Sequence, residues 1–204
     1  MERKSGQALF WALVRNAHSA DLLPNDRVAV AASVGEGGNR LVVYDLAVSG
    51  REVMSRDLPH GHGVVWDEAR QRLYALSGSD IRVFKLVAWE TDSPDLERVA
   101  VYDLPERGGH ELIPMPDSPH LMVSSGRHCW LFDRDTGAIT PHPDLADMAR
   151  IKCMDVNPRT GKLAYVQAEG DHWWAERVHF LHPESVYHVP GEHFYKARWN
   201  VPSP

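Results

Sequence analysis

Apolar residues in this chain come in short runs of four to eight positions, each broken by Gly, Pro, Asn, Asp or Ser. No run keeps a helical period for more than a few residues, so the pattern predicts β-strands joined by tight turns. Three runs, VAVAAS (28–33), LYALSG (73–78) and LMVSSG (121–126), are apolar almost throughout, the mark of strands covered on both faces. Around them the pattern predicts sets of four strands. The first set starts at His18 and continues through 28–33, 40–46 and 51–58. The second has 62–67, 72–78, 80–86 and 96–104; the third 110–115, 120–126, 128–135 and 138–142; the fourth 152–157, 162–168, 176–183 and 185–191. Two stretches have a helical look. SADLL (19–23) is better explained as part of the first strand, and PDLADMAR (143–150) is expected to form a helix of one or two turns.

Each set opens on the same kind of residue. His18, His62 and His110 head the first three, Lys152 heads the fourth, and Lys196 heads a last fragment, at separations of 44, 48, 42 and 44 residues. A repeat of about 40–50 residues built from short strands predicts a β-propeller, one blade per repeat. The expected architecture is all-β: one domain over 1–204, with complete blades at about 18–58, 62–104, 110–142 and 152–191. A partial blade pairs 196–204 with an outer strand at 7–14. Four blades and a fragment read as an incomplete six-bladed propeller in the first place; the alternative is a five-bladed ring completed by the half-blade, whose unpaired blade edges would invite self-association.

The chain has 204 residues, a 43% hydrophobic and 25% charged composition, and a net charge of −6. Without a Lys/Arg-rich run, this balance argues against nucleic acid and anionic membrane surfaces as partners. The two cysteines, Cys129 and Cys153, lie in different repeats without metal-like spacing and are expected to be small buried hydrophobes. No stretch reaches the roughly 18 apolar residues of a membrane helix. The opening MERKSGQALFWALVRNAH lacks a small-residue cleavage site, so the chain as given reads as cytoplasmic, or as periplasmic or secreted if a leader precedes it.

The phrases NAHSADLLPNDRVAVAAS, HGHGVVWDEARQRLYAL, GGHELIPMP and WWAERVHF together resemble an uncharacterised bacterial family of six-bladed β-propellers, a domain of unknown function. The likeness runs from about residue 7 to 200. Members of that family begin with two further blades, which this sequence lacks. More distantly, His at the head of successive inner strands is similar to oligogalacturonate lyases, in which channel histidines hold a divalent metal. The phrase HSADLLPN from His18 is similar to bacterial arylsulfotransferases. Both are likenesses of fold and position.

First strands of propeller blades line the central channel, and equivalent positions lie at equal height. His18, His62 and His110 would form one layer and could ligate Zn²⁺, Mn²⁺ or Fe²⁺, or no metal at all. Lys152 and Lys196 in that layer would attract an acid group, and in a lyase would serve as the catalytic bases that remove a proton alpha to a carboxylate. Arg198, on the same face as Lys196, and the adjacent Trp173 and Trp174 are expected to bind substrate. The expected ligand is a small anionic, carbohydrate-like molecule. The rival expectation is a non-catalytic binding or scaffold propeller whose histidines stitch neighbouring blades. His60 is an extra ligand candidate that reads first as a loop residue, and Asp21, Asp67, Glu111 and Asp155 could orient an imidazole or act as general base but read first as strand-end or turn residues. There is no Gly-x-Ser-x-Gly elbow, phosphate-binding Gly-x-x-x-x-Gly-Lys or His-Glu-x-x-His.

Overall fold

A computed structural model describes residues 6–200. Among these residues there are sixteen strands, in four antiparallel sheets of four, and no α-helix. Contacts divide the chain into two compact units, residues 1–103 and 104–204.

The first unit holds β1 (Ala17–Leu23), β2 (Arg27–Ala32), β3 (Arg40–Asp45) and β4 (Glu52–Asp57) in one sheet. Its second sheet is β5 (Gly63–Asp67), β6 (Arg72–Leu76), β7 (Asp80–Val87) and β8 (Asp95–Asp103). The second unit holds β9 (Glu111–Pro114), β10 (His120–Ser124), β11 (Cys129–Asp133) and β12 (Ile139–Pro141). It ends with β13 (Ile151–Val156), β14 (Leu163–Gln167), β15 (Arg177–Leu181) and β16 (Ser185–His188). Every sheet is a meander in chain order, and the four blades fall where the hydrophobic pattern put them.

Turn chemistry sets the registers. Asn25 and Asp26 take left-handed φ between β1 and β2, a conformation that short polar side chains tolerate. The turns Asp133–Gly137 and Asn157–Gly161 repeat one device. The first side chain accepts backbone N–H groups two and three residues on, Thr follows, and Gly closes the turn at φ 75° and 71°. Gly38 is required for a different reason: a Cβ there would lie 1.9 Å from the Ser33 carbonyl oxygen.

Blades pack through their inner and middle strands. In the first unit Ala29, Ala31, Leu41, Val43, Leu73 and Ala75 are wholly buried, small residues of β2 and β6 alternating with larger neighbours. In the second, Met122, Leu145, Ile151 and Met154 form the matching core. β1 also grips β5 with side chains: Ser19 Oγ accepts Val64 N–H at 3.2 Å, and Asp21 Oδ2 accepts Trp66 N–H at 2.7 Å.

Three expectations need correction. Residues 143–150 form turns, not a helix. The Ala146 carbonyl accepts Cys129 N–H at 3.0 Å, so the segment's hydrogen bonding is spent on β11, and Arg150 ends it with φ 64°. Residues 7–14 form no strand; instead Phe10, Ala12 and Val14 lie with alternating burial on Val28, Val30, Val42 and Tyr44. At the other end, 196–200 also lie outside any strand, while 201–204 fall outside the described residues.

Candidate functional site

The segment after β16 explains how the second unit's polar residues come together. Ala197 N–H lies 3.1 Å from Cys153 Sγ, and Trp199 N–H donates to Asp155 Oδ2 at 2.8 Å. Phe194, Ala197 and Trp199 cover Ala164, Val166, Ala175 and Val178. The grip of Cys153 and Asp155 on this segment reproduces that of Ser19 and Asp21 on β5. Asp21 and Asp155 each sit three residues beyond the residue that heads their repeat, His18 and Lys152. Strand-end or turn residues by the sequence pattern, they form one repeated hook. Burial, partly offset by the backbone donors, pushes both carboxyl groups above the usual carboxylate range.

That hook delivers Lys196 and Arg198 to Glu111, which is wholly buried at the start of β9. Lys196 Nζ contacts Glu111 Oε1 at 3.2 Å, and Arg198 Nη2 contacts Oε2 at 2.6 Å. Two cations on one carboxylate make an ionic cluster with excess positive charge, its anion buried and its Arg198 end exposed. Tyr195, beside it, has its hydroxyl pushed up to about 12 by burial and by the Glu111 charge.

The preceding residue, His110, meets Lys152. Lys152 Nζ donates to His110 Nε2 at 3.2 Å, which fixes that imidazole nitrogen as an acceptor. Lys152 is 9% exposed, and among the described residues it makes no ion pair. Burial, then the nearby Arg150 guanidinium, holds its ammonium below the usual lysine range. Arg150 in turn binds the carbonyls of Gly170 and His172, tying down the loop that carries the two tryptophans. Trp173 is 62% exposed and stands edge-on to Tyr195 at 5.4 Å. Trp174 is packed between the His172 and His193 rings, with centroids 4.3 and 3.6 Å away. The sequence reading missed Glu111 as a bridge, and it missed Tyr195 and Arg150 altogether.

In the first unit, His18 and His62 come together with ring centroids 4.2 Å apart. Each donates Nδ1–H to the carbonyl two residues back, Asn16 and His60, at 2.8 Å. The contact is shared by these two histidines and fixes their tautomer, leaving Nε2 as the nitrogen without the proton. His60 has φ 50° and belongs to the loop, as expected. Among the described residues no three His, Cys, Asp or Glu side chains are grouped to hold a metal ion. Cys129 and Cys153 are buried and free, and burial raises the Cys129 thiol to about 12.

Four blades of this kind, with inner strands headed by His or Lys, define a β-propeller domain. The chain belongs to a family of unknown function, DUF6528, which it matches over residues 5–203. No curated protein matches it. Among solved structures, a chain of the nidogen/laminin complex is 12% identical at TM-score 0.59, covering 86% of this chain and 66% of that one. A Lactobacillus plantarum protein is 15% identical at TM-score 0.58, with 85% and 54% covered. The Cps50 (Swd1) β-propeller domain of Myceliophteria thermophila is 12% identical at TM-score 0.55, with 75% and 48% covered. At such identities the likeness is one of fold alone, and this chain spans between about half and two thirds of each.

Proposed function

We propose that the second unit binds a small anionic ligand, an acidic sugar or a fragment of one, beside Lys152. The observation that carries this reading is Lys152 itself: an ammonium nine-tenths buried, bonded to a neutral imidazole nitrogen and paired with no carboxylate among the described residues. An uncompensated buried cation is costly, and a carboxylate supplied by a ligand would offset that cost. Lys196 and Arg198 add positive potential, although both already hold Glu111. Exposed Trp173, braced by Tyr195, offers the flat apolar face on which a sugar ring stacks. Trp174, occupied by two histidines, contributes packing rather than contact with the ligand.

The test is titration of the full chain with D-galacturonate and with D-galactose, followed by calorimetry or ligand-observed NMR. Binding of galacturonate but not galactose, weakened at least tenfold in Lys152→Met and several-fold in Trp173→Ala, supports the reading. Equal binding of both sugars, or a Lys152→Met protein that binds as before, overturns it. A second reading makes this a non-catalytic binding or scaffold propeller, and the identical backbone contacts of His18 and His62 favour it for those two residues. Metal analysis separates it from the metal site expected at His18, His62 and His110. One equivalent of bound Zn, Mn or Fe, lost in His62→Ala, would favour the metal. The Lys152 ammonium on His110 Nε2 stands against it.

A further inference from the structure

A cavity of about 320 Å³ opens in the second unit away from Lys152, between the turn after β9, the 142–144 turn and the turn after β13. Its walls are apolar, with Met115, Val156, Leu163 and the rings of Pro143 and Pro158 facing the space. Its charged lining is acidic: Asp117 and Asp144, and no Lys or Arg. His182 also lines it and meets Asp144 at 3.2 Å. One polar group in the wall is unusual. His142 is 3% exposed, and its Nδ1 accepts the N–H groups of Asp144 and Leu145 at 3.2 Å each. The proton of the neutral ring is therefore on Nε2, on the edge turned away from that backbone. This N–H has no hydrogen-bond partner among the described residues.

We infer that this cavity is a binding site for a small organic cation: an apolar ring carrying an oxygen acceptor for His142 Nε2–H and an amine for Asp117 or Asp144. The three requirements come from three different parts of the wall. The proline and aliphatic faces disfavour a strongly hydrated ligand, the carboxylates repel an anion, and the unpaired His142 N–H is free to donate to an acceptor. The chemistry is opposite in sign to that proposed at Lys152, so the two sites cannot share a ligand.

Four probes test it on the full chain by saturation-transfer NMR: 4-(aminomethyl)benzamide, benzylamine, benzamide and benzoate. Binding of 4-(aminomethyl)benzamide ahead of benzylamine and benzamide, with benzoate excluded, is the expected order. His142→Asn keeps an acceptor for the two backbone N–H groups but removes the Nε2 donor. It should weaken 4-(aminomethyl)benzamide about tenfold, the loss of one hydrogen bond, and leave benzylamine unchanged. Asp117→Asn, at an exposed left-handed position that Asn also tolerates, keeps the fold and should weaken both amines. Benzoate binding as well as the amines, no probe binding at all, or both variants binding as the parent does, would overturn the inference.

Discussion

Glu106 shows how much one side chain can organise. Its carboxylate accepts Ser125 Oγ at 2.7 Å, Arg127 N–H at 3.0 Å, Arg127 Nε at 2.7 Å and His128 Nδ1 at 3.1 Å. Burial alone would raise its pKa, but these donors outweigh burial and lower it to about 2. Glu106→Gln keeps the shape and loses the charge-assisted bonds, so the thermal midpoint should drop. The hydrogen bonds around Asp155 are tested differently. Asp155→Ala unhooks Trp199 N–H and should cost about 1–3 kcal/mol in urea titration. Asp155→Asn still offers an acceptor and sheds the buried charge, so it should be close to neutral at pH 7. Equal damage from both would mean that charge, not hydrogen bonding, holds the segment. Little of this was legible in the sequence. His18, His62, His110, Lys152 and Lys196 stood out because they recur at one spacing. Asp21 and Asp155 share an offset too, but without knowing which backbone groups faced them they looked like ordinary strand-end acids. The Glu111–Arg198 pair joins residues 87 apart in sequence, and no local pattern announces it.

At the scale of elements the pattern carried much further, because a strand sandwiched between blades must be apolar on both faces and a tight turn must have Asp, Asn or Gly. The inner and middle strands follow from those two requirements, whereas the outer strands, such as β4 and β16, are partly or wholly exposed and follow from the repeat. The helix expected at 143–150 failed for a tertiary reason, since β11 takes the carbonyl that a helix would need. The segment at 7–14 has the alternation of a strand and uses it for packing alone: Phe10, Ala12 and Val14 cover the β2–β3 face. The segment from Phe194 to Trp199 covers the β14–β15 face in the same way. Replacing Phe10 and Val14 together by Ala would bare Val28, Val30, Val42 and Tyr44, the face they cover. The expected loss is about 2–3 kcal/mol, from the apolar area returned to water, read as a lower urea midpoint. The double variant should also self-associate more readily in sedimentation, because the bared sheet face is flat and apolar. A double variant as stable and as monodisperse as the parent would mean that the segment merely lies on the sheet.

Across the molecule, pH gathers the individual shifts into one curve. Two histidines are held below their ordinary range by burial: His142, against the opposing pull of Asp144, and His179, where Glu169 pulls up and Arg177 pushes down. A histidine with a lowered folded pKa contributes stability above pH 6.5 and loses it as pH falls through the folded value. Glu106 adds a second loss, complete only near pH 2, because its contribution is present above pH 4.5 and fades below. Asp21 and Asp155 run the other way. Their raised pKa values favour the folded state in acid, below about 3.8, and that contribution disappears as pH rises through the folded values. The carboxylates therefore oppose one another in acid, whereas the loss from the two histidines begins below pH 6.5, within the interval from pH 7 to 5 where the Glu106 contribution is still intact. The urea midpoint should fall over that interval. His142→Asn with His179→Phe, which keeps a ring against Tyr165 at the site of the 5.1 Å stack, should flatten the fall while leaving the drop near pH 2–4 in place. An unchanged slope between pH 7 and 5 in the double variant would mean that neither imidazole is held neutral by its surroundings. In that case the fixed Nε2–H that His142 offers to the cavity beside Met115 would lose its basis as well.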